Sequence, residues 1–322
     1  MLSEGVLSGD RRLLAKAISL VESTRHEDRL NAHKLLSILL PHTGKSWRIG
    51  ITGAPGVGKS TFIEIFGQHI ISEGHRIAVI AVDPSSKRSG GSILGDKTRM
   101  NNLSNQDDAF IRPAPSGGAL GGVSSSTREV MLLCEAAGFD VIIVETVGVG
   151  QSEIEVESMV DLFMALMLPN AGDELQGIKR GIMEITDLFV ITKADGTTEN
   201  LANLAKLQIS SSIKLLRPKY QHWSPQILTS SALEHRGINS TWDACKTYFA
   251  KSAQVGSLTL LRSTQNKQWF YQLLEQGFRE VFYQLSPIRT QLPLLETQIT
   301  EGTLLPTLAA DQLLELLNKY TK

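Results

Sequence analysis

The sequence predicts an α/β fold: a mostly parallel sheet wrapped by helices, with further helices before and after it. Between residues 47 and 232, short apolar runs alternate with longer amphipathic stretches, and most of these runs are continuously apolar. Strands that are buried on both faces have such runs, and alternation of strands with helices produces parallel sheets. The predicted strands are 47–52, 77–82, 109–113, 141–145, 162–168, 188–192 and 227–229.

Helical periodicity predicts the two flanking regions. Apolar residues recur at helical spacing between positions 10 and 40, where Pro41 follows, and again from Phe270 to Leu285, where Pro287 follows. Between these regions, Ser126 and Glu129 have the spacing of a capping box at a helix start. We therefore expect an N-terminal helical extension (1–44), a sheet domain (45–255) and a C-terminal helical region (256–322).

Composition narrows the class of protein. The 322 residues are 42% hydrophobic and 20% charged, with a net charge of −1, which is ordinary for a globular chain and argues against a nucleic-acid binder. Cys134 and Cys245 are too few for a disulfide framework, and no apolar run approaches the ~18 residues of a membrane span. We expect a cytoplasmic protein with no membrane segment.

The first motif is a phosphate-binding loop between a predicted strand and a predicted helix. It matches G-x-x-x-x-G-K-[ST], and its glycines let successive backbone N–H groups point at phosphate oxygens. Lys59 can reach the β- and γ-phosphates, and Ser60 can bind Mg²⁺. The predicted nucleotide-binding residues are Gly53, Ala54, Pro55, Gly56, Val57, Gly58, Lys59, Ser60 and Thr61.

Acidic residues near this loop predict a metal site and a hydrolytic site. Asp83 follows the second predicted strand, and Asp96 lies in the Ser- and Gly-rich loop after it. Strand 141–145 ends in Glu145, three residues before Gly148, where many GTPases have D-x-x-G. We expect Glu145 to organise Mg²⁺ and water, and the Gly148 N–H to bind the γ-phosphate. Gln151 either orients the water or is a solvated loop residue.

A later motif predicts the base. Thr192 to Asp195 resemble N/T-K-x-D, in which the acid accepts hydrogen bonds from the guanine N1–H and 2-amino groups, which adenine lacks. Lys193 can lie over the base plane. Thr192 replaces the commoner Asn, and one hydroxyl cannot make both contacts of an amide. A weaker motif, Ser231, Ala232 and Leu233, resembles a loop whose backbone contacts the guanine carbonyl. The motifs together favour GTP over ATP.

Four segments together resemble the MeaB/ArgK-type GTPases, chaperones of methylmalonyl-CoA mutase. They are 53–61, 82–100, 145–153 and 171–179. The resemblance implies a homodimer that binds an adenosylcobalamin-dependent acyl-CoA mutase, gates cofactor delivery and protects or restores the mutase. It assigns Asp83, Asp96 and Glu145 to the Mg²⁺ and switch apparatus and segment 169–179 to an additional switch. Lys179 either supplies positive charge to the transition state or is a surface lysine. The resemblance also favours dimerisation through the apolar stripe 270–285.

Two other functions share this fold. A metallochaperone GTPase would carry His-rich tracts or paired Cys and His, which the sequence lacks. A small-molecule kinase would need an acceptor pocket, and transfer of phosphate to an amino acid rather than to water would identify it. An adaptor with an inactive nucleotide site is disfavoured by the presence of Lys59, Ser60, Asp83 and Glu145.

Overall fold

The computed structural model describes residues 2–83, 100–115, 126–146, 152–169 and 180–320, without the side chains of 83, 114, 115, 180 and 318–320. The chain divides into two compact units, Met1–Leu260 and Leu261–Lys322. The first unit contains the sheet, and the second contains most of a long helix and the two helices that follow it.

The sheet confirms the predicted fold class. Its strands are β1 (Trp47–Gly53), β2 (Ile77–Asp83), β3 (Ala109–Pro115), β4 (Val141–Glu145), β5 (Leu162–Met167), β6 (Leu188–Ile191) and β7 (Gln226–Thr229). Their order is β3-β2-β4-β1-β5-β6-β7, and every pair is parallel. β1 lies between β4 and β5, so the loop that follows β1 opens at the centre of the carboxyl edge, where ligands of such sheets bind.

Helices cover both faces of this sheet. Alternate residues of each strand point to opposite faces, so each face contributes its own apolar side chains to the core. Ile77 and Val79 belong to one apolar cluster, whereas Ala78 and Ile80 belong to the other. The helices of the first unit are α1 (Leu2–Leu7), α2 (Arg11–Val21), α3 (His26–Leu39), α4 (Lys59–Ser72), α5 (Asn101–Ser104), α6 (Thr127–Ala136), α7 (Ser152–Glu157), α8 (Arg180–Ile185), α9 (Glu199–Ile213) and α10 (Ile238–Gln254). Both native cysteines are buried within these clusters, and burial raises the pKa of each thiol.

The N-terminal region is helical, as predicted, but it consists of separate helices. α2 and α3 are separated by a turn, in which the Ser23 hydroxyl donates to Asp28 (2.6 Å) and accepts from the Arg25 N–H (3.3 Å). Such local side-chain bonds compete with helix formation. Asp10 caps α2 by accepting from the N–H groups of Arg12 and Leu13.

The serine side-chain cap predicted at the start of α6 does not form. Ser126 occupies the N-cap position, but its side chain makes no capping hydrogen bond. Its backbone has φ −76° and ψ −13°, which is helical, whereas a capping serine needs an extended backbone. The spacing of Ser126 and Glu129 therefore marked the start of the helix correctly and its capping contact wrongly.

Long helices make up the C-terminal region. They are α11 (Ser257–Gln284), α12 (Ser286–Thr300) and α13 (Pro306–Tyr320). Pro287 stands in the first turn of α12, where a missing N–H costs nothing, so the apolar stripe ends where the sequence predicted. Within the second unit, α12 contacts α13. Large apolar side chains of α11, among them Phe270, Leu274 and Phe278, are exposed.

Candidate functional site

Residues 53–61 form the end of β1, a tight turn and the start of α4, as the motif predicted. Gly56 and Gly58 have φ of +82° and +93°, a region that favours glycine. Val57 anchors the turn, because its side chain is buried in the core and its N–H donates to the carbonyl of Ala54 (3.2 Å). The N-terminus of α4 is thereby fixed at the sheet edge, where its N–H groups suit an anion.

Lys59 is bonded to carbonyls of the same loop. Its Nζ donates to the carbonyl of Gly53 (2.6 Å) and to that of Ala54 (3.3 Å). Burial lowers the pKa of Lys59, while the carboxylates of Glu145 and Glu153 act in the opposite direction. The ammonium group is thus held at the loop, close to acidic residues of the neighbouring strand and helix.

The N/T-K-x-D segment follows β6 and is tied to the phosphate loop by two side chains. The hydroxyl of Thr192 donates to the carbonyl of Val57 (2.7 Å), and the carbonyl of Met167 lies 3.2 Å from the same oxygen. The Nζ of Lys193 donates to the carbonyl of Gly56 (2.8 Å). Lys193 has φ +53°, an uncommon conformation for a non-glycine residue. The two loops therefore form one hydrogen-bonded structure.

Asp195 and Ser231 meet at the same edge. The Ser231 hydroxyl donates to the Asp195 carboxylate (2.5 Å) and accepts from the Glu234 N–H (3.0 Å). Ser231 is fully buried, whereas Asp195 is half-buried. Asp195 therefore keeps access to a ligand while one of its oxygens is fixed by the protein.

Backbone contacts hold these two segments together. The N–H of Ala194 donates to the carbonyl of Ser230 (3.1 Å), and the Arg236 guanidinium donates to the carbonyl of Ala194 (2.7 Å). Of the predicted backbone donors, Ala232 is half-buried and Leu233 is 83% exposed. Sequence reasoning placed Ser231 near the base but missed its side-chain bond to Asp195. The only available signal was a serine after the strand adjacent to β6.

Three of the four predicted metal ligands lie at one sheet edge. Ser60 is in the first turn of α4, and Glu145 ends β4, where its register partners are Ile51 and Ala81. Asp83 ends β2, two residues beyond Ala81, and its side chain is not described. Hydroxyl and carboxylate oxygens suit Mg²⁺, which usually keeps several waters and phosphate oxygens as ligands. Among the described residues there is no group of three or more His, Cys, Asp or Glu that could hold a metal ion.

The start of the E-x-x-G segment is fixed to the strand of the phosphate loop. The hydroxyl of Thr146 donates to that of Thr52 (2.8 Å), and both side chains are buried. The remaining predicted site residues lie outside the described residues: Asp96, Gly148, Gln151 and Lys179.

Comparison with known proteins now identifies the family. The family described as methylmalonyl Co-A mutase-associated GTPase MeaB matches residues 14–284. The chain belongs to this family. The matched residues include every strand of the sheet, the phosphate-binding loop (P-loop) and the N/T-K-x-D segment. The chain is thus a P-loop GTPase by family as well as by fold.

Individual relatives agree with this assignment. A probable GTPase of Mycobacterium tuberculosis is 48% identical over 98% of this chain and 94% of its own length. GTPase ArgK of Escherichia coli is 51% identical over 83% and 81%. A mouse protein named methylmalonic aciduria type A homolog, mitochondrial, is 46% identical over 98% and 78%.

A solved structure has the same fold over almost the whole chain. It is entitled LAO/AO transport system kinase, and it superposes with a TM-score of 0.79 at 39% identity, covering 98% of this chain and 96% of its own.

No described helix is long and apolar enough to cross a membrane.

Proposed function

We propose that this chain binds GTP with Mg²⁺, hydrolyses it slowly, and acts as a chaperone of an adenosylcobalamin-dependent acyl-CoA mutase. Methylmalonyl-CoA mutase is the proposed client, for which the chain would gate cofactor loading and protect or reactivate the enzyme. The observation that carries the nucleotide part is the joined loop structure, in which Thr192 reaches Val57 and Ser231 orients Asp195. Family membership supports the partner part.

Base selection follows from the carboxylate of Asp195. One oxygen accepts from Ser231, and a carboxylate has enough lone pairs to accept two further hydrogen bonds from guanine. Adenine has no such pair of donors, and it would leave the acid without these partners. Lys193 lies beside Gly56, which supports a place over the base.

The chain's own groups act on the phosphates as follows. Lys59 exchanges the carbonyls of Gly53 and Ala54 for β- and γ-phosphate oxygens, and the N–H groups of the loop donate to the same phosphates. Ser60, Asp83, Asp96 and Glu145 would hold Mg²⁺. The ion, when bound, neutralises charge that develops on the transferred phosphoryl group. We assign to Glu145 the positioning of water and to the Gly148 N–H the binding of the γ-phosphate.

The partner and the assembly belong to the same proposal. We propose that segment 169–179 is a switch that couples the nucleotide state to the mutase, with Lys179 adding positive charge to the transition state, and that Gln151 orients the water. We further propose that residues 1–44 are a helical extension, that 45–255 form the GTPase domain, and that 256–322 form a homodimer interface. The exposed apolar side chains of α11 support that interface. The proposed compartment is the cytoplasm.

The test measures hydrolysis of GTP and of ATP with Mg²⁺, with and without purified methylmalonyl-CoA mutase. We expect slow turnover that is selective for GTP and that rises when the mutase is added, because the phosphate loop 53–61 itself contains no arginine. Equal turnover of ATP would contradict the assignment of the base.

Two further outcomes separate the parts of the proposal. GTP turnover that the mutase leaves unchanged would retain the GTPase and remove methylmalonyl-CoA mutase as a stimulating client. Phosphate that appears on an added amino acid rather than in solution would identify a kinase instead. An inactive Lys59→Ala chain, prepared in the same way, controls for contaminating hydrolases.

A further inference from the structure

We propose that Thr192 makes no hydrogen bond to the N7 atom of guanine, because it uses its only donor to hold the phosphate loop. The inference rests on the proposed binding of GTP. It assigns Thr192 to positioning, and it leaves base selection to Asp195 at the opposite edge of the base.

The first step is the hydrogen-bond capacity of Thr192. Its hydroxyl has one hydrogen, and two backbone carbonyls lie within reach of its oxygen, that of Val57 at 2.7 Å and that of Met167 at 3.2 Å. The residue is only 5% exposed and directly follows β6, with Met167 at the end of β5 on one side and Val57 of the phosphate loop on the other. The shorter distance assigns the hydrogen to the carbonyl of Val57, so the only donor of Thr192 is engaged by the phosphate loop.

The second step is the chemistry of the base. The guanine edge that carries N7 and O6 presents acceptors only. A hydroxyl that has given its hydrogen to a carbonyl can only accept, so it cannot bond to this edge. An asparagine amide has two donor hydrogens. It could therefore bond to the carbonyl of Val57 and to N7 at once, which a threonine cannot do.

The third step concerns the contacts that remain when Thr192 makes no bond to N7. The Watson–Crick edge of guanine donates through N1–H and the 2-amino group, and Asp195 supplies the acceptors for both. The loop connection is also retained, through Thr192 to Val57 and through Lys193 to Gly56. Selection against adenine is thus preserved, whereas a purine altered only at N7 is accepted.

The experiment compares GTP with 7-deaza-GTP, in which N7 is replaced by a C–H group, by measuring the Kd of each. For the wild-type chain we expect the two Kd values to differ by less than about 3-fold. The loss of one hydrogen bond usually raises a Kd by at least that factor. For Thr192→Asn we expect GTP to bind about 3- to 10-fold tighter than to the wild type, with no gain for 7-deaza-GTP. A clear 7-deaza penalty in the wild type would overturn the inference, and this comparison needs no variant.

Thr192→Val tests the positioning role, because valine keeps the branched shape and lacks the hydroxyl. We expect it to weaken GTP and 7-deaza-GTP equally, by about 3- to 10-fold. Loss for GTP alone would show an N7 contact and overturn the inference. ATP is measured in parallel: a wild-type chain that does not prefer GTP would overturn the proposed function, whereas GTP preference with a 7-deaza penalty would overturn only the role of Thr192.

Discussion

The base side and the phosphate side of the site differ in where their polar groups are bonded. On the base side, Thr192 and Ser231 bond to other segments of the chain, so the loops after β1, β6 and β7 hold one another in place. On the phosphate side, Lys59 bonds to carbonyls of its own loop. The base side is therefore held together by contacts of the chain with itself, whereas under the proposed function Lys59 exchanges its carbonyl partners for phosphate oxygens.

This difference predicts which property of the protein each side of the site controls. A group that is already oriented costs little entropy when the ligand arrives. Changes on the base side should therefore alter which nucleotide binds, and changes on the phosphate side should alter whether any nucleotide is turned over. Three substitutions test that division, and a fourth tests the stability of the base side.

The largest effect is expected for Lys59→Ala. Because the ammonium group stabilises charge that develops on the phosphates, we expect kcat for GTP to fall by about 100- to 1,000-fold. The measurement is phosphate release under saturating GTP. Lys206→Ala, which removes an exposed lysine from α9, is the matched control and should leave kcat unchanged. A Lys59→Ala chain within a few-fold of the wild type would place the catalytic charge elsewhere.

The next effect is a change of base preference by Asp195→Asn. The asparagine oxygen can still accept from Ser231, but its N–H group faces the guanine donors. Xanthine has a carbonyl in place of the 2-amino group and matches that N–H. We expect the Kd ratio of GTP to xanthosine triphosphate to change by about 100-fold or more. Equal weakening of both nucleotides would indicate a general loss of structure rather than base recognition.

A smaller effect is expected on the stability of the base side. Gly237 has φ +79°, and a Cβ there would lie 2.1 Å from the carbonyl oxygen of Thr229, the residue that ends β7. We expect Gly237→Ala to lower the free energy of unfolding by about 2 kcal/mol, seen as a lower Tm. Gly44→Ala is the control, because Gly44 has φ +90° with no atom near the added Cβ. The Gly44→Ala variant therefore measures the cost of the left-handed backbone alone. An equal loss of unfolding free energy in both variants would show that the added Cβ at position 237 causes no clash.

The smallest effect is expected for Ser231→Ala. The variant removes the donor to Asp195 and the acceptor for the Glu234 N–H. We expect the Kd for GTP to rise about 5-fold, with kcat unchanged at saturation. Ser211→Ala, at an exposed position of α9, serves as the control. A fall in kcat with an unchanged Kd would mean that the two sides of the site are not separate.

The sequence predicted the strands and the phosphate loop closely, because both depend on short-range patterns. Strand 141–145 was predicted with its observed ends, and the others were shifted by at most two residues. The same patterns predicted helix over 10–40 but not the turn between α2 and α3, where the Ser23 hydroxyl donates to Asp28. The missed capping contact of Ser126 has a similar origin, because spacing does not determine φ and ψ.

The contacts that join the site were beyond the reach of sequence patterns. Thr192 lies 135 positions from Val57, and Ser231 lies 36 positions from Asp195. Each pair meets only because the parallel strands end at one edge of the sheet. The motif therefore showed that Thr192 cannot replace every contact of an asparagine, but only the structure shows which contact it makes.

The burial of the two native thiols has a practical consequence for spectroscopy. Thiol reagents react with the thiolate, and Cys134 and Cys245 are both buried with raised pKa values. A cysteine introduced at an exposed position such as Ser211 would therefore carry a fluorescent or spin label on the folded chain, with neither native cysteine replaced. With two such cysteines introduced, the distance between the two labels could then be followed as nucleotide is added.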